Sequence, residues 1–256
     1  TSTVGVIVPV LESTSTAETV NGIEMGCSGK GYRILLAYSH NDPEIEAQQA
    51  RLLLEHRVDG IICVVGYRTL SATGRWVAEA VDERLPCVLV DSNVPGISVD
   101  YVAGDDRIGA SEAVAHLLRL GHRRIAHLSA GPYGYPACER REGYRAALRA
   151  VSLPVDQQLI VGSSFEPSDA AAAMSVLLRV HERPTAIFAA DDLMAAAAIE
   201  VIRDSGLRVP QDLAVVGFND VTLARYLRLT TVRLSAQERG RLADARGLLE
   251  RIGAAD

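Results

Sequence analysis

The chain has 256 residues, 48% of them hydrophobic, and carries 26 Lys and Arg against 32 Asp and Glu, a formal net charge of −6. That length buries a substantial core as one large or two medium domains, and the composition excludes a disordered or low-complexity chain. An acidic balance excludes a chain that itself tracks nucleic-acid phosphate, because displacing counterions needs a basic face. No stretch reaches transmembrane length and no basic-then-apolar leader opens the chain, so no membrane partner is expected.

Short apolar runs rich in Val and Ile alternate with amphipathic stretches. Strands are predicted at residues 4–10, 34–38, 60–65, 87–90, 101–103, 125–129, 159–161, 186–189 and 213–218. Their near-continuous apolarity marks strands covered on both faces, as in a parallel sheet between helix layers. After the first strand, Ser15-Thr16-Ala17-Glu18 reads as a capping box. Gly29-Lys30-Gly31 marks a helix stop before the second strand. Asp42-Pro43 then places a cap before a proline at the first helical position. The helix it opens, residues 44–56, sets Ile45, Leu52 and Leu53 on one side. Gly121 and Gly206 stand where later helices end, with Pro210 beyond the second.

The elements fall into two similar halves, from Val4 to about Val102 and from about Arg124 to Phe218. The predicted fold class is α/β, with two doubly wound parallel-sheet lobes. Ligands of such sheets bind beyond the carboxyl ends of the strands. Two facing lobes place those ends around a ligand cleft, so the candidate residues lie in loops just after strands.

Catalytic and cofactor signatures are missing. No G-x-G-x-x-G follows a strand, and no phosphate-cradling G-x-x-x-x-G-K-[ST], H-E-x-x-H or G-x-S-x-G occurs. The histidines at 40, 56, 116, 122, 127 and 181 lack ligand spacing, and Cys27, Cys63, Cys87 and Cys138 form no C-x-x-C pair. No cofactor, metal or catalytic residue is assigned and no enzyme is expected. Cys63 and Cys87 read as small buried residues in a reduced, cytoplasmic setting.

The strand-end loops carry the candidates. Ser13, Ser15 and Thr16 supply hydroxyls at a helix start, where capping and ligand binding use the same free amides. Asp91 and Asp105 divide evenly between turn chemistry and ligand contact, whereas Asp106 reads as a helix cap. Arg140 and Arg141 lie early in a helix, where the dipole disfavours a cation and points to a specific contact. Phe165, in a polar loop after Gly162-Ser163-Ser164, is a lid on the core or a stacking face. Asp191-Asp192 reads as a cap, and Asn219-Asp220 precedes no strong helical pattern. Carboxylates, an amide, a guanidinium and an aromatic face together suit a sugar or another polyhydroxylated metabolite.

Several segments resemble the effector domain of lactose-repressor-type (LacI/GalR) regulators, in order and spacing across nearly the whole chain. They include Thr3-Val4-Gly5-Val6-Ile7-Val8-Pro9, Arg57-Val58-Asp59-Gly60-Ile61-Ile62, Leu120-Gly121-His122-Arg123-Arg124-Ile125, Arg140-Arg141-Glu142-Gly143-Tyr144 and Val215-Val216-Gly217-Phe218-Asn219-Asp220. The resemblance implies two periplasmic-binding-protein-like lobes (type I), residues 1–103 plus about 234–256 and residues 104–233. It implies an effector in the cleft and a homodimer, with operator DNA bound through a helix-turn-helix head expected before Thr1. Carried over by motif, Arg140 is a principal effector contact, Phe165 stacks on the effector, and Ser13, Ser15, Thr16, Asp105, Asp191 and Asn219 line the cleft. Loss of Arg140 is then expected to weaken binding and leave the fold intact. Where the family often has Asn-Pro-Phe-Phe, this chain has Ser13-Thr14-Ser15-Thr16, which points to a more polar effector. A periplasmic sugar-binding protein of a transporter shares the fold and is the alternative.

Overall fold

The computed structural model describes residues 1–11, 13–66, 70–131, 134–162, 164–243 and 248–254; Glu12, Pro132 and Ser163 lie outside them. The chain divides into unit one, Thr1–Gly104 with Ser235–Asp256, and unit two, Asp105–Leu234. Elements are numbered along the chain.

Unit one holds β1 (Thr3–Val8), β2 (Arg33–Tyr38), β3 (Gly60–Val64), β4 (Cys87–Val90) and β5 (Asp100–Val102), all parallel, in the order β2-β1-β3-β4-β5. Side chains alternate across the sheet and fill two cores. Val4, Val6, Val8, Ile62 and Val88 meet Ile23 and Cys27 of α1 (Thr14–Gly29) and Ile252 of α10 (Leu249–Ala254). Ile7, Ile61, Cys63 and Leu89 meet Leu53 of α2 (Pro43–Glu55) and Trp76, Val77 and Ala80 of α3 (Leu70–Asp82).

Asp42 caps α2 by accepting from the amides of Glu44 and Ile45, with Pro43 in the first turn. The inner face of α2 differs from the predicted one: Glu46, Ala50 and Leu53 are buried and Leu52 is exposed. A buried carboxylate needs donors. Glu46 accepts from the Thr73 hydroxyl and, at 3.1 Å, from Trp76 Nε1, which ties α2 to α3. Helix α1 starts earlier than the Ser15 box implies. Ser13 stands at its N-cap, and Ser15 lies in the first turn, its carbonyl accepting from the Thr19 hydroxyl.

Glycine decides how α1 packs on α9 (Ala236–Leu242). A Cβ at Gly22 would lie 2.0 Å from the Gln237 carbonyl oxygen, and one at Gly240 2.1 Å from that of Thr19. Each carbonyl belongs to the residue three before the opposing glycine. Those approaches put the two helix backbones in contact.

Unit two holds β6 (Ile125–Leu128), β7 (Ile160–Val161), β8 (Ala186–Ala189), β9 (Ala214–Asn219) and β10 (Thr230–Arg233), all parallel, in the order β10-β9-β8-β6-β7. Counted from its own first strand, this is the strand order of unit one. Strand β10 escaped the pattern reading because its half-exposed Thr-Thr-Val-Arg is not an apolar run. Its helices are α4 (Asp106–Arg119), α5 (Tyr135–Ala150), α6 (Pro167–Leu177), α7 (Asp192–Asp204) and α8 (Thr222–Leu227). Leu128, Ile187 and Val215 pack against α6 and α7. Ile125, Phe188, Val216 and Phe218 pack against Leu117, Tyr144 and Leu148 of α4 and α5. Gly121 and Gly206, with φ of 93° and 78°, follow α4 and α7 in the left-handed conformation glycine adopts without strain.

Cys27, Cys63 and Cys87 are buried and Cys138 is half-buried. Burial pushes the Cys87 thiol up to about 12, so it stays protonated at neutral pH. Among the described residues no helix is long and apolar enough to cross a membrane, and no group of three or more His, Cys, Asp or Glu is placed to hold a metal.

Candidate functional site

Arg140 organises the carboxyl end of unit two. It lies on the buried face of α5 with Ala137, Gly143, Tyr144 and Ala147, the helical i, i+3, i+4, i+7 spacing. Gly143 brings α5 against α4, since a Cβ there would lie 2.3 Å from the Arg107 carbonyl oxygen. Although Arg140 is only 5% exposed, its guanidinium is well supplied with acceptors. Nε donates to Asp106 Oδ1 at 2.7 Å, Nη1 to the Ala190 carbonyl at 2.6 Å, and Nη2 to Asn219 Oδ1 at 3.1 Å. Its central carbon lies 4.1 Å from the centroid of the Phe218 ring and 5.9 Å from that of Phe165. A guanidinium has five N–H hydrogens, so two remain beyond these three bonds. Arg140 is therefore not a solvated cation, and its removal would strand a buried carboxylate, which corrects the expectation that the fold is indifferent to it.

The acceptors are themselves fixed. Asp105, not Asp106, caps α4 by accepting from the Ile108 amide at 3.0 Å, while Asp106 is buried against Arg140. The sequence reading gave the cap to Asp106 and left Asp105 between turn chemistry and ligand contact, because adjacent aspartates look alike and only α4's packing on α5 separates them. Ala190 directly follows β8. Asn219 ends β9 with φ of 98°, and Asp220 follows at 56°, both in a region that costs a non-glycine residue about 1–2 kcal/mol. Asp192 holds this turn, accepting from the Val221 amide at 2.8 Å and the Thr231 hydroxyl at 2.6 Å. Gly217 leaves room for that carboxylate, since a Cβ there would sit 2.2 Å from Asp192 Oδ1. Contrary to the sequence reading, a helix does follow the turn, the six-residue α8.

Asp191 caps α7, accepting from the Met194 amide at 2.7 Å. Burial pushes its carboxyl up to about 6, against the pull of that amide and of Arg140. A carboxyl balanced near pH 6 can accept from a ligand hydroxyl or donate to a ligand oxygen. Below the guanidinium lies a column of rings. Phe218 meets Phe188 edge-on at 6.2 Å, Phe188 stacks on His127 at 4.9 Å, and His127 stacks on Tyr144 at 5.3 Å. The Tyr144 hydroxyl donates to the Ile125 carbonyl at 2.8 Å. His127 is fully buried and its Nδ1 lies 3.1 Å from the Phe188 carbonyl, a partner that requires the proton on Nδ1. Burial pushes His127 down to about 4, so it is neutral at pH 7.

Of the residues read from sequence, Arg140, Asn219 and Phe165 are thus brought together, with Asp191 alongside and Asp105 occupied as a cap. Ser13, Ser15 and Thr16 belong to the carboxyl end of unit one, at the start of α1; Thr16 is buried. There Asp91 follows β4 with φ of 63° and is ion-paired with Arg239 of α9, Nε to Oδ1 at 2.9 Å. Sequence reasoning missed Arg239, which sits in a charged run with Glu238 and Arg241. The available signal was its place beside Ala236 and Gly240, three and one residues away, on the side of α9 that is buried.

A family model described as a periplasmic binding protein-like domain matches residues 114–256. The HTH-type transcriptional repressor PurR of Haemophilus influenzae (strain PittEE) is 31% identical over 98% of this chain and 74% of its own length. A solved LacI family transcriptional regulator from Mycobacterium smegmatis aligns at 34% identity with a TM-score of 0.86, covering 98% of this chain and 90% of that one. The transcriptional regulator CelR in complex with cellobiose aligns at 31% identity with a TM-score of 0.89, covering 100% of this chain and 79% of that one.

Proposed function

The chain belongs to the lactose-repressor family of transcription regulators, of which it is the periplasmic-binding-protein-like effector domain, and from that premise we propose that its effector is a sugar or a related polyhydroxylated metabolite. The observation that carries this reading is the buried Arg140 constellation, which offers two N–H hydrogens beside the Asn219 amide, the Asp191 carboxyl and the Phe165 ring. Such a set fixes hydroxyls with paired polar groups and covers an apolar sugar face with an aromatic one. The saccharide named with the CelR structure supports the same class. In unit one, the hydroxyls of Ser13, Ser15 and Thr16 supply further polar contacts and favour a more polar ligand than an aromatic loop would.

The mechanism is a population shift. The effector binds one conformation of the regulator better, and the difference, typically about 1–3 kcal/mol, is transmitted to operator DNA bound through a helix-turn-helix head. The domain acts as a homodimer, since paired heads read paired half-sites. It binds and releases its ligand unchanged, in a cytoplasm whose reducing conditions suit the buried thiols of Cys63 and Cys87.

A thermal-shift screen against sugars, sugar phosphates, nucleosides and purine bases tests the reading. A selective hit should raise the melting temperature with concentration and lose at least tenfold in affinity in Asn219→Ala. A hit whose affinity that variant leaves unchanged would remove this constellation from the effector site. Sedimentation showing only monomer at high concentration would count against the dimer.

A further inference from the structure

Arg239 is a buried cationic side chain in unit one that the reading above does not use. Its side chain is 9% exposed, and its charge is met by Asp91 alone among the described ion pairs. Neither its Nε nor its Nη1 has a hydrogen-bond partner; Nε faces Asp91 at 2.9 Å only as an ion pair, off the hydrogen-bond line. Leaving a buried charged donor unsatisfied carries the desolvation penalty with nothing to offset it. A group that accepts from Nη1 would recover that cost.

A second feature lies at the same end of unit one. Helix α1, 16 residues long, has no acidic residue in its first turn, and its N-cap Ser13 makes no side-chain capping bond. By contrast Asp42, Asp105, Asp191 and Ser235 cap α2, α4, α7 and α9. The N-cap and first-turn side chains of α1 therefore bring no negative charge to its dipole. Strands β1 and β4 are parallel in one sheet, α1 follows β1, and Asp91, the ion-pair partner of Arg239, follows β4, so the first turn of α1 and Arg239 share the carboxyl end of that sheet.

We propose that Arg239, with the amino terminus of α1, binds an anionic oxygen group, a carboxylate or a phosphate, carried by the effector. A guanidinium and a helix amino terminus both favour negative charge, and charge-assisted hydrogen bonds are about twice as strong as neutral ones. The assignment rests on the effector-domain reading and narrows its ligand class from any polyhydroxylated metabolite to an acidic one.

The test uses three probes, inorganic phosphate, glucuronate and neutral glucose, titrated by calorimetry and thermal shift. Proteins compared are the unaltered chain, Arg239→Met, and the charge-balanced pair Arg239→Met with Asp91→Asn, each checked by circular dichroism. The pair keeps the question open to measurement should the single change leave Asp91 unpaired and the fold weakened. At least one anion should bind the unaltered chain and bind at least tenfold more weakly to a folded variant. Preference for phosphate or for glucuronate tells the two sources apart. Binding of neither anion, or equal binding in the charge-balanced variant, overturns the proposal. Failure of the effector reading is separate: it shows as an effector affinity that Asn219→Ala does not change, whatever the anions do.

Discussion

Unit one and unit two wind five parallel strands in the same order, yet their carboxyl ends are finished with different chemistry. In unit two a buried arginine is held by three acceptors and an aromatic face, and the turn that supplies one acceptor is held by Asp192. In unit one a buried arginine has one carboxylate beside it and an unsatisfied nitrogen, next to a helix start lined with hydroxyls. The topology therefore determines where polar groups stand at the strand ends and leaves their saturation to the sequence. A saturated group presents a fixed surface, and an unsaturated one gains most when a ligand arrives.

The largest test of that contrast is Asp106→Ala. It strands the Arg140 charge and should destabilise unit two by about 3–5 kcal/mol. Trp76, the one tryptophan, lies in unit one, so urea unfolding followed by circular dichroism should shift more than unfolding followed by tryptophan fluorescence. Equal shifts would mean that the units unfold as one. Next comes Gly240→Ala, which forces a methyl into the Thr19 carbonyl and should cost about 1–3 kcal/mol, visible at Trp76. Gly29→Ala has nothing within 4 Å to meet and should be neutral or slightly stabilising, and a loss as large as that of Gly240→Ala would discredit the close-packing argument. Tyr144→Phe removes one buried hydrogen bond and should cost about 0.5–1.5 kcal/mol, with the Trp76 transition unmoved.

The smallest net effect is expected from pH, because two groups in unit two oppose each other. Asp191 is raised from 3.8 to about 6, so it contributes stability that is present below 3.8 and lost as pH rises through 6. His127 is lowered from 6.5 to about 4, so it contributes stability that is present above 6.5 and lost as pH falls through 4. Between about pH 4 and 6 the two slopes largely cancel. Asp191→Asn removes the first and should expose a steeper fall in melting temperature on acidification from 6.5. An unchanged slope would show that Asp191 titrates near its ordinary value.

Much of this architecture was legible in residue order. Among the described residues, runs of Val and Ile named nine of the ten strands, and Asp42-Pro43, Gly121 and Gly206 marked helix ends through chemistry confined to a few neighbours. What escaped depends on packing between distant segments. The burial of Glu46 is set by donors on α3, that of Asp106 by the approach of α5, and the interest of Arg239 by Asp91, almost 150 positions away in the chain. Among the site residues, Arg140 and Asn219 could be singled out by their places after strands, but not the bond between them. Asp192 was legible as a residue and illegible as the brace of the Asn219 turn.

The close seating of α9 on α1 also bears on how the protein is made. Unit two is one continuous segment, Asp105–Leu234, whereas unit one needs Ser235–Asp256 to cover the face that α1 leaves open. During synthesis the second sheet is therefore complete while the first still lacks α9 and α10, and the amino-terminal half is the last to close. Until then the apolar flank of β1, β3 and β4 stays only partly covered, so unit one carries its exposed apolar surface longer than unit two.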